Sequence, residues 1–205
     1  MTMIRLALTA VLVLAAAAQG AAADALIVEG LMFSDEEGGF TLISASGRGT
    51  PEDPFVIVEE ITEMRPAALI IRGLTAEWGN RLPTNHPSGF VIRKVIINHT
   101  DLAWDSYDHE LQIERGVPSD IYDGLSFGQG SEVGRPFRSD QFARNTTHDE
   151  PRDFINYHDG LVNPGESVTF EFVITATSAL AQFYIVQDPN RPIAALDRPR
   201  RVRRV

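Results

Sequence analysis

The stretch Val168-Thr-Phe-Glu-Phe-Val-Ile-Thr175 has the clearest periodic pattern in the chain. Its apolar residues Val168, Phe170, Phe172 and Ile174 stand at every second position. Thr169, Glu171 and Thr175 occupy the other side of the pattern. Because an extended chain turns alternate side chains to opposite faces, this period of two predicts a β-strand with one buried face.

Working outward from this strand, seven further runs have β-like patterns. They are residues 25–33, 40–44, 54–61, 68–74, 90–98, 107–113 and 181–187. Clusters of Gly, Pro, Asn and Asp separate them, and no helical apolar stripe exceeds about two turns. The pattern predicts an all-β fold, a two-sheet antiparallel β-sandwich. A short right-handed β-helix is the alternative, since Gly47 to Phe55 looks like the opening of such proteins, although no repeat period continues.

Three residues interrupt or accompany the apolar faces. In the run 90–98, Phe90, Ile92 and Ile96 share one face and Lys94 is the polar exception on it. His109 shares a face with apolar neighbours, which favours a packed histidine over a metal ligand. Trp104 is expected in the core, with a carbohydrate platform as the less favoured alternative.

The same pattern of strands and turns predicts two connections between strands. The residues Phe154 to Tyr157 and the strand from Val168 are predicted to form a hairpin with a long connection. Residues Gly116 to Glu150 are rich in Gly, Asp, Ser and Arg and predict a long loop, where a working surface would lie. Six hydrophobic residues are expected to pin this loop to the body: Ile121, Tyr122, Leu125, Phe127, Phe137 and Phe142.

The two ends of the chain differ from its middle. Residues 1–23 resemble a secretory signal peptide, with Arg5, an apolar run from Leu6 to Ala18 and small residues after it. These features predict export to the periplasm or the outside of the cell. The β-like runs that follow predict a single sandwich domain over residues 24–187. Residues 188–205 hold six arginines against two aspartates and predict a disordered basic tail, or a tether to anionic lipid or to the acidic body.

Composition excludes several classes of function. The chain has no cysteine, which removes disulfides, thiolate zinc sites and thiol catalysis. The net charge is −10, and an acidic body repels phosphate backbones, which argues against nucleic-acid binding. No apolar segment after the signal peptide is long enough to span a bilayer, so a soluble mature chain is expected.

Three stretches have features of a known group of proteins: residues 95–111, residues 123–127, and residues 159–174 together with 183–189. On these stretches, residues 90–187 resemble a group of exported bacterial β-sandwich proteins, the surface-sorted or PEP-CTERM-like group. The resemblance implies a secreted or surface module and no particular reaction. The Pro-Glu-Pro box and apolar helix of the sorting signal have no counterpart before the basic end.

An acidic and histidine-containing loop at residues 148–159 is the candidate metal site. Its proposed ligands are Asp149, Asp153, His158 and Asp159, a set of carboxylates and imidazole that suits calcium or zinc. If residues 153–158 are extended, Asp153 and His158 lie on opposite faces. The spacing matches no specific metal motif, so a solvated acidic loop is the competing interpretation.

Gly124-Leu-Ser-Phe-Gly128 spells the nucleophile elbow of serine hydrolases. That motif needs a strand, a sharp turn and then a helix, and Gly128-Gln-Gly130 is a poor helix start. A glycine-rich turn or edge strand is therefore the favoured interpretation, with no catalytic residue assigned. Three functions are therefore considered. The sequence favours a non-enzymatic binding or structural module, a metal-dependent module is the second hypothesis, and a hydrolase at Ser126 is the least favoured.

Overall fold

A computed structural model describes residues 25–120, 122–128 and 137–190, and these residues contain thirteen strands and no helix. In chain order the strands are β1 (Ala25–Val28), β2 (Leu31–Ser34), β3 (Phe40–Ser46), β4 (Phe55–Ile61), β5 (Ala67–Leu74), β6 (Ser88–Asn98), β7 (Tyr107–Gln112), β8 (Leu125–Ser126), β9 (Arg138–Ser139), β10 (Phe142–His148), β11 (Phe154–Gly160), β12 (Ser167–Ala176) and β13 (Leu180–Pro189). The proposed signal peptide 1–23 and the arginines from residue 191 onward lie outside the described residues. Across the described ranges, no helix is long and apolar enough to cross a membrane.

The strands form two packed sheets. The seven-stranded sheet has the order β1-β2-β5-β13-β7-β11-β10, and the six-stranded sheet has the order β3-β4-β6-β12-β8, with β9 pairing β12. All pairings are antiparallel except the parallel pair of β4 and β6. The predicted two-sheet β-sandwich is confirmed, and the fold is not the β-helix alternative.

The long antiparallel pair of β12 and β6 forms the centre of the six-stranded sheet. Its register runs from Ser167 opposite Ile97 to Ala176 opposite Ser88. The period-two residues of β12 face the other sheet and are buried in one continuous core with Phe33, Ile71 and Phe183. Burying such aromatic and branched side chains contributes about 1.5–3 kcal/mol each, which holds the layers together without disulfides.

Residues 25–33 are two strands rather than one. Glu29 and Gly30 both have positive φ, at 51° and 84°. Two consecutive residues with positive φ match the tight hairpin turns whose twist suits antiparallel strands. The chain therefore reverses at Glu29-Gly30, and β1 pairs back on β2.

The predicted hairpin between residues 154–157 and the strand at Val168 is wrong. β11 lies in the seven-stranded sheet between β10 and β7, whereas β12 lies in the six-stranded sheet. The connection crosses from one layer to the other, and an isolated bridge between Trp104 and Val162 fixes it. The Gly, Pro, Asn and Asp residues between two strands predict a change of chain direction, but they do not predict the sheet to which the next strand belongs.

The predicted long loop at residues 116–150 contains β8, β9 and the seven-residue edge strand β10. The expected anchoring is confirmed for the four buried residues Leu125, Phe127, Phe137 and Phe142. It is wrong for Tyr122, whose surface is 85% exposed. Ile121 lies outside the described residues.

Candidate functional site

Four buried polar side chains meet between the two sheets. We call them the inter-sheet cluster: Glu59 on β4, Lys94 on β6, Tyr107 on β7 and Gln187 on β13. All four residues have 0% exposure. Lys94 is also the only lysine in the chain, so every other cationic side chain of the Lys and Arg class is arginine.

The alternation of the strands places these residues in the interior. Along β6, Phe90, Ile92, Lys94 and Ile96 are all buried, which confirms that Lys94 shares the apolar face. The parallel register sets Ile57 beside Lys94 on the neighbouring strand, and Glu59 follows two residues later on the same face. From the facing sheet, β13 contributes Gln187 beside β7. The cluster therefore joins both layers.

Gln187 is the centre of the hydrogen-bond network. Lys94 Nζ donates to Gln187 Oε1 at 2.6 Å, and Tyr107 Oη donates to the same oxygen at 2.9 Å. The amide Nε2 of Gln187 donates to Glu59 Oε2 at 2.7 Å. Glu59 Oε2 also lies 3.1 Å from Lys94 Nζ. One carboxylate oxygen thus contacts both the amine and the amide nitrogen.

The second carboxylate oxygen of Glu59 is less well satisfied. Glu59 Oε1 is buried without a hydrogen-bond partner among the described residues. An unsatisfied buried oxygen of this kind costs about 1–3 kcal/mol or more for a charged group. A buried ion pair that carries such a cost is weak evidence for a stabilising role.

Burial controls the protonation of the cluster. It lowers the pKa of Lys94 below its ordinary value, and the charge and hydrogen bond of Glu59 offset this only in part. Burial also raises the pKa of Tyr107 well above its ordinary value, with the negative charges of Glu59 and Asp188 acting in the same direction. Tyr107 therefore keeps its proton and stays a hydrogen-bond donor.

His109 lies beside the cluster in a cage of aromatic rings. Its ring centroid is 4.9 Å from that of Phe170, 5.0 Å from Phe172 and 5.2 Å from Tyr107. Neither ring nitrogen has a hydrogen-bond partner among the described residues. Burial first, and then the charge of Lys94, lower the pKa of His109 well below its ordinary value. The prediction of a packed histidine is confirmed, since His109 has 0% exposure.

The four proposed metal ligands occupy different environments. Asp153 is buried, and its Oδ2 accepts a hydrogen bond from the backbone N of Phe127 at 3.1 Å. His158 Nδ1 lies 3.3 Å from Asp159 Oδ1, and Asp159 also pairs with Arg144 at 3.2 Å. Asp149 lies between β10 and β11.

These proposed ligands are not brought together as a set. In the described ranges, which include all four, no group of three or more His, Cys, Asp or Glu side chains is arranged to hold a metal ion. His158 and Asp159, which are neighbours in sequence, are in contact with each other. The calcium or zinc hypothesis for residues 148–159 stays a prediction without a geometric centre.

Ser126 lies on the edge strand β8, opposite Thr175 of β12. This position confirms the expected edge strand. The serine is fully buried, and its Oγ has no hydrogen-bond partner among the described residues. The elbow of a serine hydrolase presents its hydroxyl at the start of a helix, and the described part of the chain holds no helix.

Trp104 is fully buried and belongs to the main core. Its Nε1 donates to Thr100 Oγ1 at 3.3 Å, which satisfies the indole without solvent. The expected core position is therefore confirmed, and the ring has no exposed face on which a sugar could stack.

A surface cleft of about 170 Å³ lies on the outer side of the six-stranded sheet, between β9 and β12. Glu171 contacts two arginines there, Arg93 at 2.7 Å and Arg138 at 2.6 Å. Burial raises the pKa of Glu171 while its hydrogen bonds to Arg93 and Arg138 lower it, and the net shift is downward. Asp140 also lines the cleft, so two arginines and two carboxylates lie there and their formal charges cancel.

Glu59 and Gln187 were not singled out from the sequence. The signal for Glu59 is its place in Phe55-Val-Ile-Val-Glu-Glu-Ile61, where every second residue is buried. Gln187 stands at the end of an apolar run and becomes recognisable only once β13 is paired with β7. Of these three residues, only Lys94 could be recognised directly from the sequence, because a lysine on an apolar strand face is almost never fully buried unless it is paired.

Comparisons with protein-family models, with curated proteins and with solved structures find no match to this chain. The resemblance of residues 90–187 to the surface-sorted group stays a prediction for that reason. Function has to be inferred from the described residues and the chemistry they allow.

Proposed function

We propose that this chain is an exported, non-enzymatic β-sandwich module with a binding or structural role at the bacterial cell surface or in the periplasm. Residues 1–23 support export, because they have the charge, apolar run and small residues of a signal peptide. The absence of cysteine from the sequence means that the mature domain would depend on its core in place of disulfides.

The proposal depends on the burial of the side chains that could act as nucleophile, acid or base. Lys94, Glu59, His109 and Ser126 all have 0% exposure. A side chain that acts on an external substrate must come within hydrogen-bond reach of it. Lys94, Glu59 and His109 are packed between the two sheets, and Ser126 is buried on the other side of the six-stranded sheet, beside Thr175. None of these side chains has that access, which favours a role for the exposed surfaces over turnover at the buried groups.

Expression of the full chain in a Gram-negative host tests the proposal. We expect the protein in the periplasm or at the surface, with its N-terminus just after residue 23. A Leu12→Arg variant should stay in the cytoplasm with residues 1–23 attached, because a charge disrupts the apolar region. An unprocessed wild-type chain in the cytoplasm would contradict export.

A second measurement addresses catalysis. We expect no turnover of generic esters, glycosides or phosphates by the purified protein. Turnover that disappears in a correctly folded Ser126→Ala variant would overturn the non-enzymatic proposal, since it would show that the buried hydroxyl reaches a substrate.

A further inference from the structure

The inter-sheet cluster holds an amine next to a carboxamide. Lys94 Nζ contacts Gln187 Oε1 at 2.6 Å, so the carbonyl carbon Cδ is one bond away from the atom that it touches. This hydrogen bond holds the amine beside the carboxamide, so a reaction between them needs no encounter of two separate molecules. The pair lies in a water-excluded interior, where hydrolysis does not compete with attack by the amine.

Lysine is the side chain that suits this position. A desolvated lysine loses its proton readily and becomes a nucleophile, whereas arginine stays charged at any physiological pH. The chain has arginine at its other cationic Lys/Arg positions and its only lysine in the core. Burial lowers the pKa of Lys94, which favours the neutral amine that attack requires.

Two neighbours have the positions that such a reaction needs. Tyr107 Oη donates to Gln187 Oε1 at 2.9 Å, where negative charge develops when a carboxamide becomes tetrahedral. Glu59 Oε2 contacts the nucleophile at 3.1 Å and the leaving nitrogen Nε2 at 2.7 Å. A single carboxyl group between the two nitrogens can pass a proton from one to the other.

We propose that Lys94 and Gln187 react within the folded chain to form an intramolecular isopeptide bond. The proposal goes beyond an envelope role and does not depend on it. The bond would connect β6 of the six-stranded sheet to β13 of the seven-stranded sheet across a sequence separation of 93 residues. It would give a cysteine-free chain the covalent constraint that a disulfide supplies elsewhere.

The step balances without an oxidant or a cofactor. Lys94 first gives one proton to Glu59, and the neutral Nζ attacks Gln187 Cδ to form an N–C bond and an oxyanion that Tyr107 stabilises. Glu59 then donates its proton to Nε2 and takes one from Nζ. The oxyanion collapses, the Cδ–Nε2 bond breaks, and ammonia leaves. One lysine amine and one glutamine carboxamide become one secondary amide and one ammonia.

Mass spectrometry of chain refolded from urea tests the proposal. The folded wild-type protein should be lighter than its sequence by the mass of one ammonia. Trypsin should then release the segment that begins at Lys94 covalently joined to the segment that contains Gln187. Lys94→Met and Glu59→Gln variants should keep the full mass, whereas Glu60→Gln, next in sequence and partly exposed, should lose ammonia like the wild type.

A Tyr107→Phe variant tests the proposal even if Lys94→Met and Glu59→Gln do not fold. It keeps the ring in the core and removes only the donor to Oε1, so bond formation during refolding should be about 10²–10³-fold slower. Folded wild-type protein that keeps its full mass and a free Lys94 would overturn the proposal. Loss of ammonia without the joined 94 and 187 segments would overturn it too, since the ammonia would then come from another amide.

Discussion

Lys94 Nζ lies 3.1 Å from Glu59 Oε2 on the neighbouring parallel strand, and neither side chain reaches solvent. This pair lies at the parallel pairing of β4 with β6, whereas the other pairs of strands in the described residues are antiparallel. The facing sheet completes the arrangement with Gln187, which hydrogen-bonds to both members of the pair. The interior is therefore not purely hydrophobic, and a polar contact spans its two layers.

Replacement of Lys94 by methionine should strongly destabilise the fold. The change keeps the apolar stem and removes the amine. Glu59 then loses its counter-ion in chains that have not reacted, and the fold loses the cross-link in chains that have. Breaking a buried pair in this way costs about 3–5 kcal/mol. Urea unfolding checks the value, with Arg144→Gln as control, because Arg144 is 73% exposed in its pair with Asp159 and should change stability by less than about 1 kcal/mol. An unchanged midpoint for Lys94→Met would contradict the structure.

The ring of Phe170 is expected to be a major contributor to the core. It packs against Tyr107 at 4.9 Å and Tyr157 at 4.6 Å between ring centroids. A Phe170→Ala change should cost about 3–5 kcal/mol because it leaves a cavity among these rings. Tyr122→Ala, at an exposed position, should stay within about 0.5 kcal/mol in the same thermal or urea unfolding measurement. Equal effects of the two changes would be incompatible with the described packing.

His109 should make stability fall as the solution becomes acidic. Its pKa in the folded state is well below the ordinary value of 6.5, so the unfolded chain takes up a proton that the folded chain does not. The loss begins as pH falls through about 6.5 and grows toward lower pH. A His109→Phe variant should be less dependent on pH in this range, since neither ring nitrogen gives up a hydrogen bond. A pH profile that the variant leaves unchanged would argue against a buried neutral histidine.

Glu171 should also make stability fall in acid, because its pKa is lowered in the folded state as that of His109 is. Its net pKa shift is downward, so its pairing with Arg93 and Arg138 stabilises the fold above the unfolded-state pKa of about 4.5. That contribution disappears as pH falls through the lower folded-state pKa. A Glu171→Gln variant should lose about 1 kcal/mol at neutral pH, because both arginines are substantially exposed. The difference from wild type should shrink as pH falls below about 4.5, and a difference that grew there would refute the pairing.

Local patterns predicted the strands that have one apolar face. The alternation from Val168 to Ile174 and the inward position of Lys94 could be read directly, because the side-chain period of a strand is two. The edge strand β10 was missed since only Phe142 within it is buried, while Arg144 and its neighbours are polar on both faces. A strand without an apolar face carries no period that a sequence can show.

Pairing between distant strands could not be predicted in the same way. The partners of Lys94 lie 35 residues before it in sequence and 93 residues after it, on strands of two different sheets. Their meeting depends on the parallel pairing of β4 with β6 and on the place of β13 beside β7. Neither follows from propensity or turn residues, which is why the cluster emerges only from the fold.

Enclosure of the inter-sheet cluster is the claim on which the functional account depends. Amine labelling of the folded Tyr107→Phe protein, taken before it loses ammonia so that the Lys94 amine is still free, tests it most directly. Lys94 is the only lysine, so an amine-reactive reagent has one side-chain target besides the α-amino group. The account predicts label on the α-amino group alone. Label on Lys94 in the folded protein, at a rate similar to that of the α-amino group, would contradict it.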